Sequence, residues 1–208
     1  MDKTKSPTVE KTHKAPAKVT TRLFPATLKL LMHADFHQVQ IRDVAAESGV
    51  SSATIYKYFG SKEGLVISIL EDFLNSISKK VQSVAESDND TLTKFRMIWA
   101  QTMQAYDENP AIAVVYFITV PTRTWIFHDS WQLDEIAKSI GAIVEEGRKL
   151  GEIDPDISDT QIIGLFYALV GREVEIWYHN GMKWPLISRS DQVFKLFWKT
   201  VRIPNPAM

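Results

Sequence analysis

The sequence predicts an all-α protein in which an N-terminal three-helix helix-turn-helix domain is followed by a larger helical bundle. Apolar side chains recur at helical spacing along most of the 208 residues, and no segment shows the period-two alternation typical of a strand. Glycines, prolines and a short acidic run separate the helical stretches. Because 45% of the residues are hydrophobic, the chain can bury a substantial core.

Residues 1–20 are predicted to form a disordered basic tail. They contain five lysines, two prolines and few apolar side chains, so burial cannot offset the entropy that ordering them would cost. Such a tail is either a basic arm that follows a nucleic acid or a solvated leader.

The helix-turn-helix prediction rests on the segment around Gly49. Apolar side chains at i, i+3 and i+4 predict a short helix that ends at this glycine, which adopts a positive φ without a Cβ clash. Ser51 or Ser52 then caps a second helix, in which Ile55 and Phe59 face inward. Such a pair of helices is either a DNA-binding unit, whose second helix enters the major groove, or a hairpin that only packs in a core.

Helices are also predicted on both sides of this unit. The preceding helix begins at Thr21 or Pro25 and ends at Ala34, since proline suits the first turn of a helix. A long helix follows Ser61 and continues to Val84, where it connects the unit to the rest of the chain. Further helices are predicted over residues 92–106, 111–118, 122–128, 130–150, 159–180 and 188–201.

Four pieces of sequence in and beside this unit form one longer pattern: IRDVA (41–45), SGVS (48–51), TIYKYF (54–59) and SKEGL (61–65). With them, the segment from Leu23 to Leu65 resembles the DNA-binding domain of the TetR (tetracycline-repressor) family of bacterial transcription regulators. The sequence departs from the family pattern at Asp35, in place of a glycine, at Gln40, in place of a Ser or Thr cap, and at Ser52-Ala53, in place of Lys-Gly. The resemblance implies a DNA-binding domain over residues 21–66 and an effector-binding and dimerisation domain over residues 67–208.

The predicted DNA contacts lie on the second helix of the unit and beside it. Residues near the start of this helix are placed for base edges, and the lysines for phosphates. Lys62 opens the following helix, where the helix dipole disfavours a cation, and a DNA phosphate would explain its presence there. The candidates are Ile41, Arg42, Ser51, Ser52, Ala53, Thr54, Tyr56, Lys57, Tyr58 and Lys62.

Charge supports this assignment. Residues 1–62 carry ten basic and five acidic side chains, although the whole chain has a net charge of −1. A basic N-terminal part on an acidic body is typical of a protein that binds duplex DNA at one end, and chance clustering of solvated charges is the alternative.

Composition predicts a cytoplasmic protein without enzymatic activity, cofactor or metal site. Cysteine is absent, no apolar run reaches the length of a membrane span, and the lysine-rich N-terminus lacks the apolar core of a secretory signal. No nucleophile-elbow, phosphate-loop or zinc-protease motif is present. His33 and His37 have the i, i+4 spacing of a metal pair but lack a third ligand nearby, so a solvated or capping role is favoured.

A small apolar or amphiphilic effector is predicted to bind between the bundle helices, as the resemblance implies. Aromatic residues at helical spacing would line the pocket, although such residues are more often plain core. Arg123 and Arg172 would either bind an anionic ligand group or pair with nearby carboxylates. The candidates are Trp99, Met103, Tyr106, Tyr116, Phe117, Arg123, Trp125, Phe127, Phe166, Tyr167 and Arg172.

The last two helices are predicted to form a homodimer, because they carry more apolar surface than one hairpin needs for its own core. In the family resembled, these helices are the dimer contact, and a dimer would present two recognition helices to a palindromic operator. The alternative is an intramolecular core. The candidates are Gly164, Ala168, Gly171, Val193, Phe194, Phe197, Trp198 and Val201.

The predicted function is therefore that of a homodimeric repressor, released from its operator when the effector tilts the long helix. Two alternatives keep the same fold: a ligand-requiring activator, and a protein-interaction module whose N-terminal domain binds a protein partner instead of DNA.

Overall fold

The all-α prediction is confirmed. The computed structural model describes residues 15–122, residue 124 and residues 133–203, and within these ranges the only β-type pairing is a single bridge between Ile153 and Arg202. Residues 1–14 of the predicted tail and most of the predicted helix 122–128 lie outside the described residues. The helices are α1 (Ala17–His33), α2 (Ile41–Ser48), α3 (Ser52–Phe59), α4 (Lys62–Ala85), α5 (Thr91–Glu108), α6 (Pro110–Val114), a π-helical turn (Val115–Thr119), α7 (Leu133–Lys149), α8 (Asp159–His179), a 3₁₀ turn (Leu186–Arg189) and α9 (Ser190–Val201).

Helix α1 begins earlier than predicted, so residues 17–20 belong to it and not to a disordered tail. Pro16 precedes its first residue, and Pro25 lies inside the helix instead of at its start. Pro25 is exposed, so the carbonyl of Thr21 that loses its N–H partner can be hydrated instead. The Thr21 hydroxyl donates to the carbonyl of Ala17 at 2.8 Å, which adds a side-chain hydrogen bond to the first turn.

Helix α4 joins the N-terminal helices to the bundle. Leu65 and Ile69, near its start, are buried with the apolar side chains of α1–α3, and its later turns pack against α5 and α7. Ser61 caps the helix by accepting from the Gly64 amide at 3.0 Å. Because the buried side chains form one continuous cluster from α1 to α9, a displacement of α4 would also displace side chains packed against it in the N-terminal helices and in the bundle.

The bundle places α5 at its centre, in contact with α4, α7, α9 and the 3₁₀ turn. Trp99 on α5 is fully buried, and its ring lies edge-on to Phe166 of α8 with the ring centroids 5.0 Å apart. The π-helical turn that follows α6 packs against both α1 and α8. Among the described helices, none is long and apolar enough to cross a membrane.

Candidate DNA-binding surface and effector cavity

The helix-turn-helix forms from local signals in the sequence. Asp43 accepts a hydrogen bond from the Gln40 amide at 2.9 Å and so closes the start of α2, where the sequence lacks the usual Ser or Thr cap. Gly49 ends α2 with a φ of 65°, a conformation that favours glycine. Ser51 then caps α3 by accepting from the Thr54 amide at 3.2 Å.

Helix α3 presents one polar face to solvent. Ile55 and Phe59 are buried beneath it, whereas Ala53 and Lys57 are exposed and Tyr56 has 53% of its surface exposed. The other three predicted contacts on α3, Ser52, Thr54 and Tyr58, have half-buried side chains that border these exposed residues. The structure therefore brings the predicted α3 contacts together on one accessible surface.

Two candidates on α2 differ in their exposure. The Arg42 side chain is 77% exposed and its Nε lies 3.7 Å from a carboxylate oxygen of Asp43, so the guanidinium remains available to a phosphate. Ile41 is buried in the core of the domain. Its side chain is one of the apolar positions from which the helix was predicted and it faces the core, so Ile41 is removed from the candidate contacts.

Lys62 is half-buried and has partners within the chain. Its ammonium donates to the backbone carbonyls of Phe36, at 2.5 Å, and Val39, at 2.8 Å. It also lies over the Phe36 ring, 4.2 Å from the centroid. These contacts explain the cation at the start of α4 without DNA, and the phosphate role predicted for Lys62 stays a prediction.

Sequence reasoning missed Arg22, an exposed residue of α1 whose Nη2 donates to the carbonyl of Gly49 at 3.3 Å. This contact places a cation beside the turn between α2 and α3, on the domain that carries the positive charge. The signal in the sequence is a lone arginine within a lysine-rich start, but only the folded chain brings it to the turn.

An apolar cavity lies between α4, α5, α7 and α8. Three of the predicted effector residues, Tyr106, Phe166 and Tyr167, line it, and its volume is about 10 Å³, room for a single water molecule. The aliphatic lining was predicted only as core, because periodicity shows that a residue faces inward but not that it borders a cavity. The remaining lining residues are Leu74, Ile77, Val81, Ile98, Thr102, Ile136 and Ile140.

The other predicted effector residues surround this cavity at varying distance. Trp99 and Met103 are fully buried but do not line it. Tyr116 and Phe117, on the π-helical turn, stand behind Tyr106, whose ring centroid lies 5.3 Å from that of Phe117. Arg123, Trp125 and Phe127 lie outside the described residues.

Arg172 points away from the cavity. Its side chain is 68% exposed, and Nη1 lies 3.0 Å from a carboxylate oxygen of Glu175. The i, i+3 spacing on one helix brings these two charges together, so Arg172 is removed from the candidate effector residues and the alternative of carboxylate pairing is the one observed.

Three tyrosines lie at or near the cavity: Tyr106 and Tyr116 are buried, and Tyr167 is half-buried. Burial raises the pKa of Tyr106 well above its ordinary value, and the neighbouring Tyr116 and Tyr167 raise it further. Burial likewise raises the pKa of Tyr116 and of Tyr167. All three therefore remain neutral near pH 7, so Tyr106 and Tyr167 bring no charge to the cavity they line.

The predicted dimer residues divide into two sets. Gly164 and Ala168 on α8 are exposed, and Trp198 on α9 is half-buried. Leu196 on α9, which was not among the predicted residues, has 61% of its surface exposed. The second set is buried inside the bundle of its own chain and is removed from the candidate interface. Gly171 belongs to it, because a Cβ at this position would press on the Phe117 ring. The other members are the buried side chains of α9: Val193, Phe194, Phe197 and Val201.

Two family descriptions match adjacent parts of the chain. "Bacterial regulatory proteins, tetR family" matches residues 23–69, which contain the helix-turn-helix. "YsiA-like protein, C-terminal region" matches residues 70–200, which contain most of the helical bundle.

Curated relatives align along most of the chain. The fatty acid metabolism regulator protein of Bacillus subtilis is 22% identical over 181 residues, covering 84% of this chain and 91% of the relative. The transcriptional repressor KstR of Mycolicibacterium smegmatis is 23% identical over 166 residues, covering 78% of this chain and 74% of the relative.

Solved structures share the fold. The FadR regulator of Bacillus subtilis in complex with stearoyl-CoA superposes with a TM-score of 0.71 at 18% identity, covering 85% of this chain and 96% of FadR. FadR of Thermus thermophilus in complex with lauroyl-CoA gives a TM-score of 0.64 at 17% identity, covering 90% of this chain and 98% of that structure. The long match to the C-terminal region, together with the helix-turn-helix match, shows that this chain belongs to the TetR family of bacterial transcription regulators.

Proposed function

We propose that this regulator is a homodimeric repressor that binds a palindromic operator and is released when a long-chain acyl-CoA enters its cavity. The observation that carries the proposal is the course of α4. Its first turn lies against the DNA-binding domain, and Leu74, Ile77 and Val81 on its later turns line the cavity. One helix therefore connects the surface that meets DNA to the space that a ligand would fill.

Operator recognition is assigned to the exposed face of α3. Ser52, Ala53, Thr54 and Tyr56 are placed for base edges, because they lie towards the N-terminal part of a recognition helix or project furthest from it. Lys57 and Tyr58 of α3, with Ser51 at its start and Arg42 on α2, are placed for phosphates on either side of the groove. These contacts would set the register of the domain on the duplex.

The effector class follows from the lining and from the relatives. Two FadR structures with the same fold contain stearoyl-CoA and lauroyl-CoA, and the cavity of this chain is lined mainly by aliphatic and aromatic side chains. A ligand pocket typically offers about 300 Å³ or more, whereas the present cavity holds about 10 Å³. An acyl chain must therefore separate the helices around the cavity, and α4 is one of them.

Dimerisation is assigned to the outer faces of α8 and α9. A Cβ added to Gly164 would meet no atom within 4 Å, so a partner helix could approach this position closely. On the same two helices Ala168 and Leu196 are exposed and Trp198 is half-buried, and we assign them to the same interface. A two-fold axis through this surface would make a four-helix interface and place two α3 helices on successive major grooves, about 34 Å apart.

The test begins with selection of bound sequences from a random duplex library at moderate salt. An enriched palindrome supports a dimeric sequence-specific regulator, and the enriched duplex then serves as the probe for release. Lauroyl-CoA and stearoyl-CoA should release it, whereas coenzyme A alone at the same concentration should not. Release by neither thioester would refute the effector class. Enrichment only in the presence of a thioester would show that the ligand is required for DNA binding, as the alternative of a ligand-requiring activator predicts.

A further inference from the structure

A groove opens to solvent between the last turns of α4 and the middle of α5. Its volume is about 380 Å³, within the range of about 300–1,000 Å³ that is typical of ligand pockets. The cavity described above holds only about 10 Å³, so in the present arrangement the groove is the larger of these two spaces. The groove is lined by Lys79, Lys80, Ser83, Val84, Ser87, Met97 and Gln101.

Two lysines give the groove a positive charge. Lys79 and Lys80 are exposed, and neither forms a hydrogen bond or an ion pair with a residue that the structure describes. Ser83 follows them by four and three positions, so it is their neighbour on the surface of α4. Two ammonium groups and a hydroxyl are suitable donors for phosphate oxygens, and among the described residues that line the groove none is acidic.

The α5 side of the groove contains an acceptor without a partner. Gln101 lines the groove, and its Oε1 atom is buried with no hydrogen bond from a described residue. A buried acceptor that is left unpaired destabilises the structure, and an N–H group of a ligand would satisfy it. Val84 and Met97 add apolar surface. The lining therefore suits a ligand that combines phosphate groups with an N–H donor and an apolar part.

The groove adjoins the cavity along the same two helices. On α4, Lys80 lines the groove and the next residue, Val81, lines the cavity. On α5, Gln101 lines the groove and the next residue, Thr102, lines the cavity. A single ligand with a charged end and an apolar end would therefore reach both spaces.

We propose that this groove binds the phosphate groups of a nucleotide, and that in the acyl-CoA proposed above it holds the coenzyme A end. Coenzyme A combines phosphate groups, amide N–H groups and an adenine ring. The inference rests on the proposed function for the acyl chain, whereas a free nucleotide would bring the same phosphate chemistry to the groove. Because the groove is already open, coenzyme A alone binds there, and only the acyl chain separates the helices.

Two thioesters that differ in the phosphorylated end measure this contact. S-lauroyl-pantetheine keeps the acyl chain, the thioester and the two amides of lauroyl-CoA but lacks its phosphates and adenosine. Calorimetric titration of the full chain without DNA should show lauroyl-CoA binding more tightly by about tenfold or more, because hydrogen bonds between charged groups are strong. The double variant Lys79→Met/Lys80→Met removes both ammonium groups and should bind the two thioesters with nearly equal affinity.

Lys183→Met is the matched control. Lys183 is exposed in the connection between α8 and α9 and does not line the groove, so its loss should leave the preference for lauroyl-CoA unchanged. A preference retained by the double variant would overturn the proposal, because the phosphates would then bind elsewhere. An equal loss of affinity for both thioesters would also overturn it, because it would show that the lysines act only on the structure.

Gln101→Leu tests the α5 side of the groove. Leucine cannot accept a hydrogen bond and leaves no unpaired oxygen, so the free energy of unfolding without ligand should not fall. The affinity for lauroyl-CoA should nevertheless fall by about threefold to tenfold, because a ligand N–H loses its acceptor. Unchanged affinity would overturn the assignment of a ligand N–H to this side of the groove.

Ligands without an acyl chain separate the groove from the effector class. Coenzyme A should bind the unchanged protein, lose affinity in the double variant and compete with lauroyl-CoA for binding, without releasing the operator. If no thioester releases the operator, the proposed effector fails, whereas loss of coenzyme A binding in the double variant still supports the groove. Binding of ATP as tight as that of coenzyme A, and equally sensitive to the double variant, would identify a free nucleotide as the source of the phosphates. If neither ligand binds and lauroyl-CoA shows no preference over S-lauroyl-pantetheine, the groove is not a phosphate site.

Discussion

Gly64→Ala tests the closest contact between α3 and α4. A Cβ at this position would collide with the backbone carbonyl oxygen of Phe59, the last residue of α3. The carbonyl cannot yield easily, since Phe59 is buried and the next residue, Gly60, has a φ of 72°. The substitution must therefore push the C-terminal end of the recognition helix away from α4.

The expected cost follows from two opposing terms. Overpacking a fixed backbone costs about 1–3 kcal/mol, while the better helix propensity of alanine returns at most about 1 kcal/mol. The two terms leave a net loss in the free energy of unfolding of about 0–3 kcal/mol. Because the added Cβ would meet a backbone oxygen and not a flexible side chain, we expect a loss of about 2 kcal/mol, together with weaker operator binding because α3 no longer lies in its original position. Gly141→Ala is the matched control, since its Cβ would meet only an Asp159 carboxylate oxygen at 3.6 Å.

Urea denaturation at fixed protein concentration measures the first effect, and titration of the selected operator measures the second. Gly141→Ala should be as stable as the unchanged protein or more stable by up to about 1 kcal/mol, with the same operator affinity. If Gly64→Ala matched the control in both measurements, the close approach of α3 and α4 would not constrain the recognition helix and the reasoning would be refuted.

Three further substitutions test the interface, the cavity and a helix cap. Leu196→Glu should yield monomers in sedimentation velocity with little change in the free energy of unfolding. Its control is Phe197→Ala, a buried position of the same helix, which should lower the free energy of unfolding by about 3–5 kcal/mol. A dimeric Leu196→Glu protein would show that the interface lies on another surface. Ile140→Trp places a larger side chain in a cavity of about 10 Å³, so it should separate the surrounding helices and weaken operator binding without effector. Lauroyl-CoA should then cause less further release. Unchanged operator affinity together with normal release would place the ligand outside this cavity. Asp90 caps α5, and hydrogen bonds from the backbone amide and the hydroxyl of Thr93 lower the pKa of its carboxyl. Asp90→Ala should therefore lower the melting temperature at pH 7, where the carboxylate is charged, and this difference should vanish as the pH falls through the lowered pKa. An equal difference at all pH values would exclude the charged cap.

The sequence predicted those parts of the molecule that local signals determine. Gly49 and Ser51 act on residues within one turn of themselves, so the boundaries of α2 and α3 could be predicted from single positions. The continuous apolar stripe from Leu65 to Ile77 likewise predicted α4. Local signals placed the start of α1 at Thr21 or Pro25, whereas the helix begins at Ala17 and contains Pro25. They also predicted one helix over residues 111–118, where the structure has α6 and then the π-helical turn.

Contacts between distant residues could not be predicted in the same way. The partners of Lys62 lie on another helix connection, and nothing in the local sequence distinguishes a lysine bound to carbonyls from one bound to phosphate. The apolar face of α9 posed a similar problem: Phe194 and Phe197 had the right spacing for an interface, but periodicity does not tell whether such a face meets another helix of the same chain. Their aromatic contacts with Trp99 answer this for the folded chain.

The small volume of the cavity bears on how the two functions are coupled. Because the present arrangement leaves about 10 Å³ between α4, α5, α7 and α8, the acyl chain proposed for this cavity would require a form in which these helices have separated. Operator DNA would favour whichever placement of α4 sets the two α3 helices at the spacing of successive major grooves. If the ligand and the operator favour different placements of α4, the coupling between them is a difference in free energy between two states of the protein. The factor by which acyl-CoA weakens operator binding must then equal the factor by which the operator weakens acyl-CoA binding. A ligand that filled the cavity without moving α4 would bind tightly and release nothing, so affinity for the protein and ability to release the operator are separate properties of an effector.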